Sequence, residues 1–238
     1  MKRAIGVLAG APVAGRCKTS LLAAHPAEWV AGLYAAMLRD MLDGLQSALA
    51  DDYVVFVAPL PPAPGEEDDE EARTRLALDV MARHVPSPWV LVATPQSAGD
   101  LGARIEHALG HMFERGAEYA LLAGSDAPSV PTEPLTEQFA DDTLAASGDV
   151  LIGPSEDGGY YAIGMARLEP RLFSDMPWST PALMETTRIR CRELGLTLRE
   201  LPKWYGVDEP SDVLKLLDEM RTNPERAPRT AQFLIKNA

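Results

Sequence analysis

The sequence is poor in cysteine and in positive charge, and both deficits exclude classes of protein. Its 238 residues include two cysteines, Cys17 and Cys191, which lie far apart. Two unclustered cysteines cannot supply a disulfide framework or a zinc site, so a reduced, cytoplasmic setting is expected. Lysine and arginine total 22 against 35 aspartates and glutamates, which gives a net charge of −13. Such acidity disfavours nonspecific nucleic-acid binding, and an anionic substrate would need local cations or a metal ion.

Long apolar runs are also missing, although the hydrophobic content of 46% is ordinary for a globular protein. No stretch is long enough to span a membrane, and the apolar run after Lys2 and Arg3 is too short for a signal peptide. We expect a single domain over residues 1–238. Within it, the acidic, proline-rich residues 59–71 predict a solvated loop, and the residues from about 222 predict a loosely held tail.

Short apolar or β-branched runs alternate with segments of helical periodicity over most of the chain. Strands are predicted at residues 4–9, 53–58, 89–93, 119–123, 149–153, 160–165 and 197–201. Predicted helices between them begin at Pro26, at Arg73, after Asp100, near Glu133 and at Thr180-Pro181, and a last one begins at Pro210. This alternation predicts an α/β fold with a mainly parallel sheet.

Two predicted loops carry residues suited to binding an anion or a metal ion. Asp126 follows the buried strand 119–123, and open α/β sheets bind ligands at the carboxyl ends of their strands. A metal-holding carboxylate and a simple Asx-turn explain Asp126 equally well. After the first strand, Gly10 and Gly15 have the glycine spacing of a P-loop, but the lysine comes two positions late. The loop still offers backbone N–H groups beside Arg16 and Lys18, which favours phosphate binding over an ordinary turn.

Four segments, in this order, resemble motifs of a family of small bacterial glycosyltransferase-like proteins. They are residues 11–19 (APVAGRCKT), 124–128 (GSDAP), 153–164 (GPSEDGGYYAIG), and 176–181 (MPWSTP) joined to 206–212 (GVDEPSD). That family belongs to the nucleotide-diphospho-sugar transferase superfamily, with phospholactate and molybdenum-cofactor guanylyltransferases as more distant relatives. The resemblance implies a three-layer α/β sandwich with a mainly parallel mixed sheet, the glycosyltransferase A-type fold.

The resemblance also implies roles for individual residues. A divalent cation, Mg²⁺ or Mn²⁺, would lie between Asp126 and Asp208. The residues expected to bind the nucleotide are Pro12, Gly15, Arg16, Lys18 and Ser125. The implied catalytic residue is Asp157, which would orient the acceptor or take its proton, although Asp-Gly is also a strong turn signal. The residues expected around the acceptor are Gly158, Gly159, Tyr160 and Trp178, although buried aromatic residues are more often core.

The leading interpretation is transfer of a sugar from a nucleotide-sugar donor to a small-molecule acceptor. One rival is nucleotidyl transfer from a nucleoside triphosphate. Another is a degenerate member that binds a nucleotide or a partner protein without catalysis. Two departures from the family pattern bear on this choice. Gly10 and Ser20 stand where the family usually has a lysine and an arginine, and Gly206 and Glu209 stand where its last motif usually has aspartate and threonine.

Overall fold

A computed structural model describes residues 1–63, 65, 69–94 and 100–237. Seven strands of these residues form one sheet. They are β1 (Arg3–Ala9), β2 (Asp52–Val57), β3 (Val90–Ala93), β4 (Tyr119–Gly124), β5 (Val150–Pro154), β6 (Tyr160–Met165) and β7 (Leu198–Glu200). Their order across the sheet is β3-β2-β1-β4-β6-β5-β7. Each predicted strand is therefore present, with boundaries within about two residues of the prediction.

The sheet is mainly parallel, as the sequence predicts. β1 pairs in parallel with β2 and β4, β2 with β3, and β5 with β7. Only β6 runs the other way, antiparallel to both β4 and β5. The carboxyl ends of six strands and the amino end of β6 therefore lie at one edge of the sheet. Loops from both halves of the chain meet at that edge.

Helices cover both faces of the sheet and complete the predicted three layers. They are α1 (Ala27–Leu45), α2 (Glu70–Met81), α3 (Leu101–Glu114), α4 (Thr132–Ala140), α5 (Asp142–Ser147), α6 (Leu183–Glu193), α7 (Pro210–Thr222) and α8 (Pro228–Lys236). One core lies between the sheet and α1, α2, α4 and α5, and a second lies between the sheet and α3 and α6. A third apolar cluster joins α1 to α7 and α8. None of the described helices combines the length and the apolar character that crossing a bilayer requires.

Local capping explains where several helices begin and where prediction was wrong. Asp100 caps α3 as predicted, because its carboxylate accepts the Ala103 N–H at 3.0 Å. The single helix predicted from Glu133 divides into α4 and α5 at Asp141, whose carboxylate accepts the Thr143 N–H at 2.8 Å. The helix start predicted at Thr180 was wrong. α6 begins at Leu183, and the Thr180 hydroxyl donates to the Pro177 carbonyl instead.

The end of the chain is packed, which corrects the prediction of a loosely held tail. The amino end of α8 has no capping side chain of its own. Asp40 of α1 takes that role: its two carboxylate oxygens accept the N–H groups of Arg229 at 3.1 Å and Thr230 at 2.8 Å. Leu234 is buried in the cluster with α1. In the acidic loop, residues 64 and 66–68 lie outside the described residues, and α2 already begins at Glu70.

Candidate functional site

A cleft of about 1090 Å³ opens at the edge where the strand ends meet. Most of the site residues predicted from the sequence line it: Arg16, Lys18, Ser125, Asp126, Asp157, Gly159, Tyr160, Trp178 and Asp208. Three do not: Pro12, Gly15 and Gly158. The structure thus brings together, from five separate segments, residues that the sequence motifs only suggested belong to one site.

Three charged residues form the centre of the cleft. Asp126 follows β4, Asp208 precedes α7, and the side chain of Lys18 lies between them. The Lys18 ammonium contacts the Asp126 carboxylate and lies 2.8 Å from Oδ1 of Asp208. The Lys18 side chain is only 8% exposed, whereas the two carboxylates are 46% and 57% exposed. The two predicted metal ligands therefore face one cation, which is the amino group of Lys18.

The backbone around the two aspartates fixes their separation. The Val207 N–H donates to the Asp126 carbonyl at 2.8 Å, which joins the two loops directly. The Asp212 carboxylate accepts the N–H groups of Asp208 at 3.0 Å and Glu209 at 2.8 Å, as part of a capping box at the start of α7. The Ser20 hydroxyl donates to the Asp208 carbonyl. Ser20 thus anchors one of the two aspartates.

The charge of Lys18 is secured by its two partners. Burial by itself would lower the pKa of Lys18, but the neighbouring carboxylates of Asp126 and Asp208 raise that pKa above its ordinary value. Lys18 therefore carries a positive charge throughout the physiological pH range. Its backbone has φ 44° and ψ 48°, a left-handed conformation that non-glycine residues rarely adopt. This conformation occurs where the chain turns from the glycine loop into the 3₁₀ helix Thr19–Ala23.

Tyr34 also lines the cleft and was missed by sequence reasoning. Its hydroxyl lies 2.8 Å from Oγ of Ser125 and accepts the Gly10 N–H at 3.1 Å. Burial, reinforced by the charge of Asp126, raises the pKa of Tyr34 to about 12, so its phenol stays protonated. Tyr34 belongs to the buried face of α1. A hydroxyl among the apolar residues of that face was the signal that could have identified it.

Arg16 lies at the edge of the cleft and contacts the segment after β2. Its Nε donates to the Pro61 carbonyl at 2.9 Å, so it ties the glycine loop to that segment. Gly15 is exposed and Pro12 is half-buried. Neither lines the cleft. Gly15 has φ 73°, a left-handed conformation that glycine adopts readily where a loop turns.

Asp157 lies on the turn between β5 and β6 and is one of the residues that line the cleft. Its Oδ1 accepts the Gly159 N–H at 3.0 Å, which is an Asx-turn, so the structural role considered for this residue is present. Gly158 has φ 92°, and a Cβ there would lie 2.4 Å from the Pro181 carbonyl oxygen. The missing side chain of Gly158 thus makes room for the backbone at Pro181, and the Met184 N–H donates to the Gly158 carbonyl at 2.8 Å.

The side chain of Trp178 contacts both α3 and the first residue of β6. A Cβ at Gly102, in the first turn of α3, would lie 2.5 Å from the Trp178 ring, so the indole packs directly on that helix. The ring also meets Tyr160 edge-on at 6.1 Å between centroids. Both aromatic residues therefore have a packing role as well as a place at the cleft.

Thr94 and Arg104 are polar residues of the cleft that sequence reasoning missed. Thr94 Oγ1 and Arg104 Nε are buried without a hydrogen-bond partner in the described part of the chain, as is Nε1 of Trp178. Buried polar groups are normally hydrogen-bonded, so these three atoms, on residues that line the cleft, are exceptions among the described residues. Arg104 follows Leu101 by one helical turn on α3. A charge next to the apolar face of an amphipathic helix was the signal that could have identified it.

The carboxylates at the centre of the site suit a hard divalent cation. Asp126 and Asp208 present oxygen ligands, which Mg²⁺ and Mn²⁺ prefer, and both already contact one positive group. A Cβ at Gly206 would lie 3.2 Å from Oδ2 of Asp208 and 3.7 Å from Cβ of Asp126. A side chain at position 206 would thus reach the same point. Among the described residues, no cluster of three or more metal-ligating side chains occurs, so at this point they offer a metal ion two carboxylates.

Comparison with known proteins finds one family model and several solved structures that are similar to this chain. Residues 66–180 match the model of a family described as an uncharacterized protein conserved in bacteria (DUF2064). No protein with a curated description matches the chain significantly. A solved structure from Desulfovibrio desulfuricans G20, provisionally named a nucleotide-diphospho-sugar transferase, is 28% identical with a TM-score of 0.78. The match covers 100% of this chain and 96% of that one.

Two further solved structures share the fold at lower identity. Rv0371c from Mycobacterium tuberculosis H37Rv, solved in complex with manganese, is 15% identical with a TM-score of 0.51, and the match covers 92% of this chain and 99% of that one. A CMP:2-keto-3-deoxy-manno-octonic acid synthetase complexed with CTP is 12% identical with a TM-score of 0.54, covering 94% and 100%. The predicted resemblance to the nucleotide-diphospho-sugar transferase superfamily and its fold is confirmed. The solved structures that share the fold include one provisionally named a nucleotide-diphospho-sugar transferase and one synthetase complexed with CTP.

Proposed function

We propose that the protein is a metal-dependent enzyme that transfers a sugar from a nucleotide-sugar donor to a small-molecule acceptor. The observation that carries the proposal is the convergence of Asp126 and Asp208 on one cation inside the large cleft. Two carboxylates from different loops, held together by the bond between Val207 and Asp126, are a costly arrangement without a positive group between them. A site that gathers negative charge in a protein of net charge −13 is suited to a divalent cation.

In this proposal Asp126 and Asp208 hold Mg²⁺ or Mn²⁺. The bound ion supplies neutralisation of the negative charge that develops on the departing nucleoside diphosphate. The manganese complex of Rv0371c, a protein of the same fold, supports the choice of a divalent metal. Asp212 acts through Asp208, because its carboxylate holds the Asp208 and Glu209 N–H groups and thereby orients the metal ligand.

The glycine loop and the end of β4 bind the nucleotide. The Lys18 ammonium group stays protonated and supplies one positive charge. Arg16, which also lines the cleft, supplies a second positive charge. Ser125 is held by Tyr34, so its hydroxyl is oriented before a ligand arrives. Gly10 and Ser20 lack the charges usual in the family, but each has a bonded place here, to Tyr34 and to Asp208. The two substitutions therefore leave the site assembled.

The acceptor binds beside the turn between β5 and β6. Asp157 orients the acceptor hydroxyl and receives its proton, a role supported by its place in the lining of the cleft, on a different loop from Arg16 and Lys18. Tyr160 and Trp178 form the aromatic wall of this half, which suits the apolar face of a sugar ring. Gly158 has no side chain, so the backbone at Pro181 can pack directly against the turn that carries Asp157.

Nucleotidyl transfer is the main rival. Its support is that a synthetase complexed with CTP has the same fold. A thermal-shift panel of nucleotides and nucleotide sugars with Mg²⁺ or Mn²⁺ identifies the ligand, because binding stabilises the folded state by mass action. The proposal expects the largest stabilisation from a nucleotide sugar, and release of nucleoside diphosphate when acceptors are supplied. Pyrophosphate release from a nucleoside triphosphate would establish the rival instead. Tight binding without turnover of either substrate class would indicate a non-catalytic binding protein.

A further inference from the structure

The proposed metal site already contains a cation that belongs to the chain itself. The Lys18 ammonium contacts the Asp126 carboxylate and lies 2.8 Å from an oxygen of Asp208. A metal ion that binds both carboxylates at once has to compete with the ammonium for those oxygens. The lysine and the metal ion therefore cannot both make their full set of contacts there.

We propose that Lys18 and the divalent cation exchange places when the metal binds. In the metal-free protein Lys18 is the counter-ion that holds the two metal ligands together. Metal binding displaces its side chain, and the freed ammonium becomes available to the phosphates of the nucleotide. This inference rests on the proposed function, since it assumes that Asp126 and Asp208 are metal ligands. It makes Lys18 a positioning residue first and a phosphate-binding residue only after the exchange.

The contacts of Lys18 support this first role. Among the described residues, no other basic side chain lies within 4 Å of Asp126 or Asp208. The lysine is 92% buried at its side chain, whereas both carboxylates remain about half exposed and so accessible to an ion from solvent. Its backbone keeps a left-handed conformation that is unfavourable for a non-glycine residue. The chain thus maintains an unfavourable backbone conformation at the position that places an ammonium group between two carboxylates.

The flexibility of lysine suits the exchange. Its ammonium is a compact charge on a four-carbon stem with several rotatable bonds, so it can leave the carboxylates without moving the backbone. The two aspartates are held differently, by backbone hydrogen bonds at Val207, Asp208 and Glu209 that do not involve Lys18. The metal ligands can therefore stay in place while the lysine moves.

Binding of Mn²⁺ to the nucleotide-free protein, followed by electron paramagnetic resonance, tests the exchange without any assay of activity. The variant is Lys18→Met, which keeps an unbranched side chain but removes the charge. The matched control is Lys203→Met, which makes the same change of net charge at an exposed lysine outside the cleft. We expect Lys18→Met to bind Mn²⁺ about tenfold more tightly than the wild type, because no ion pair has to break. Lys203→Met should stay within about twofold of the wild type.

Thermal unfolding of the same proteins provides a second measurement. Without metal, Lys18→Met should melt below the wild type, because two neighbouring carboxylates lose their counter-ion, and Mn²⁺ should restore more stability to this variant than to the wild type. Lys18→Arg, which keeps the charge, should bind Mn²⁺ as weakly as the wild type does. If Lys18→Met binds Mn²⁺ no more tightly than the wild type, the exchange is wrong and the metal site stands. If none of the proteins binds Mn²⁺, the metal site and the proposed function fail together with the exchange.

Discussion

Gly158 and Gly159 are neighbours in the turn that carries Asp157, yet replacing them with alanine should have opposite consequences. At Gly158 the backbone has φ 92°, and a Cβ would lie between 2.4 and 2.7 Å from three backbone atoms of Pro181. Backbone atoms cannot give way as the end of a flexible side chain can. At Gly159 a Cβ would lie 3.4 Å from Oδ1 of Asp157, close to an ordinary contact, and φ is not positive.

The cost of Gly158→Ala follows from these contacts. The positive φ costs an alanine about 1–2 kcal/mol. Relief of the clash with Pro181 requires the turn and the segment before α6 to separate, which weakens the bond from the Met184 N–H to the Gly158 carbonyl by about 1 kcal/mol. The sum is about 2–3 kcal/mol, which corresponds to a loss of roughly 4–12 °C in melting temperature for a protein of this size. Gly159→Ala should change the free energy of unfolding by less than about 1 kcal/mol.

Calorimetric melting of both variants, together with titration of a nucleoside diphosphate and Mn²⁺, checks this prediction. Gly158→Ala should melt lower and lose turnover, because the carboxylate of Asp157 moves with its turn. Its nucleotide affinity should persist, since Lys18, Asp126 and Asp208 lie on other loops. Equal melting temperatures for the two variants would refute the assignment of Gly158 as the point where the backbone at Pro181 packs against the turn.

Three further predictions test other parts of the account. Gly206→Asp should raise Mn²⁺ affinity by about tenfold, because its side chain begins 3.2 Å from the Asp208 carboxylate; unchanged affinity in a metal titration would speak against a metal site at that point. Asp157→Asn should lower turnover by roughly 10²–10⁴-fold at unchanged melting temperature and nucleotide affinity, and full turnover would leave Asp157 as a turn residue alone. Asp40→Ala should lower the free energy of unfolding by about 1–3 kcal/mol, because two N–H groups of α8 lose their acceptor. The control Asp43→Ala, which removes only exposed ion pairs, should cost less than about 1 kcal/mol in the same denaturant titration, and equal costs would contradict the capping role of Asp40.

The sheet was predictable from the sequence because each strand is a short apolar run bounded by turn residues. The parallel order brings the strand ends to one edge, so Asp126 and the turn at Asp157 could be assigned to one site from strand positions and motifs alone. The α8 helix could not be predicted in this way. Its capping residue, Asp40, is separated from Arg229 by 189 residues, and no local pattern reports such a contact.

The side-chain and backbone contacts within the site could not be predicted from the sequence either. The motif around Lys18 indicated a phosphate-binding cation, but not that its ammonium lies between two carboxylates, because that contact depends on how the loop after β1 packs against the start of α7. Gly158 was expected to leave space for an acceptor, whereas the structure fills that space with the backbone at Pro181. Spacing along the chain identifies residue types suited to a chemistry, and packing between distant segments decides what each one contacts.

The central claim is that Asp126 and Asp208 bind the nucleotide through a divalent metal ion. Isothermal titration of the nucleotide found in the thermal-shift panel, with Mn²⁺ or with EDTA, tests it on the wild type, Asp126→Asn and Asp208→Asn. Affinity for the nucleoside diphosphate should fall by about tenfold or more with EDTA and in both variants. EDTA removes the metal ion and each variant removes one of its ligands, so in each case the phosphates lose the charge of the metal ion. Affinity for the corresponding nucleoside, which has no phosphate, should hardly change. Equal affinity of all three proteins for the nucleoside diphosphate, with and without metal, would contradict the account.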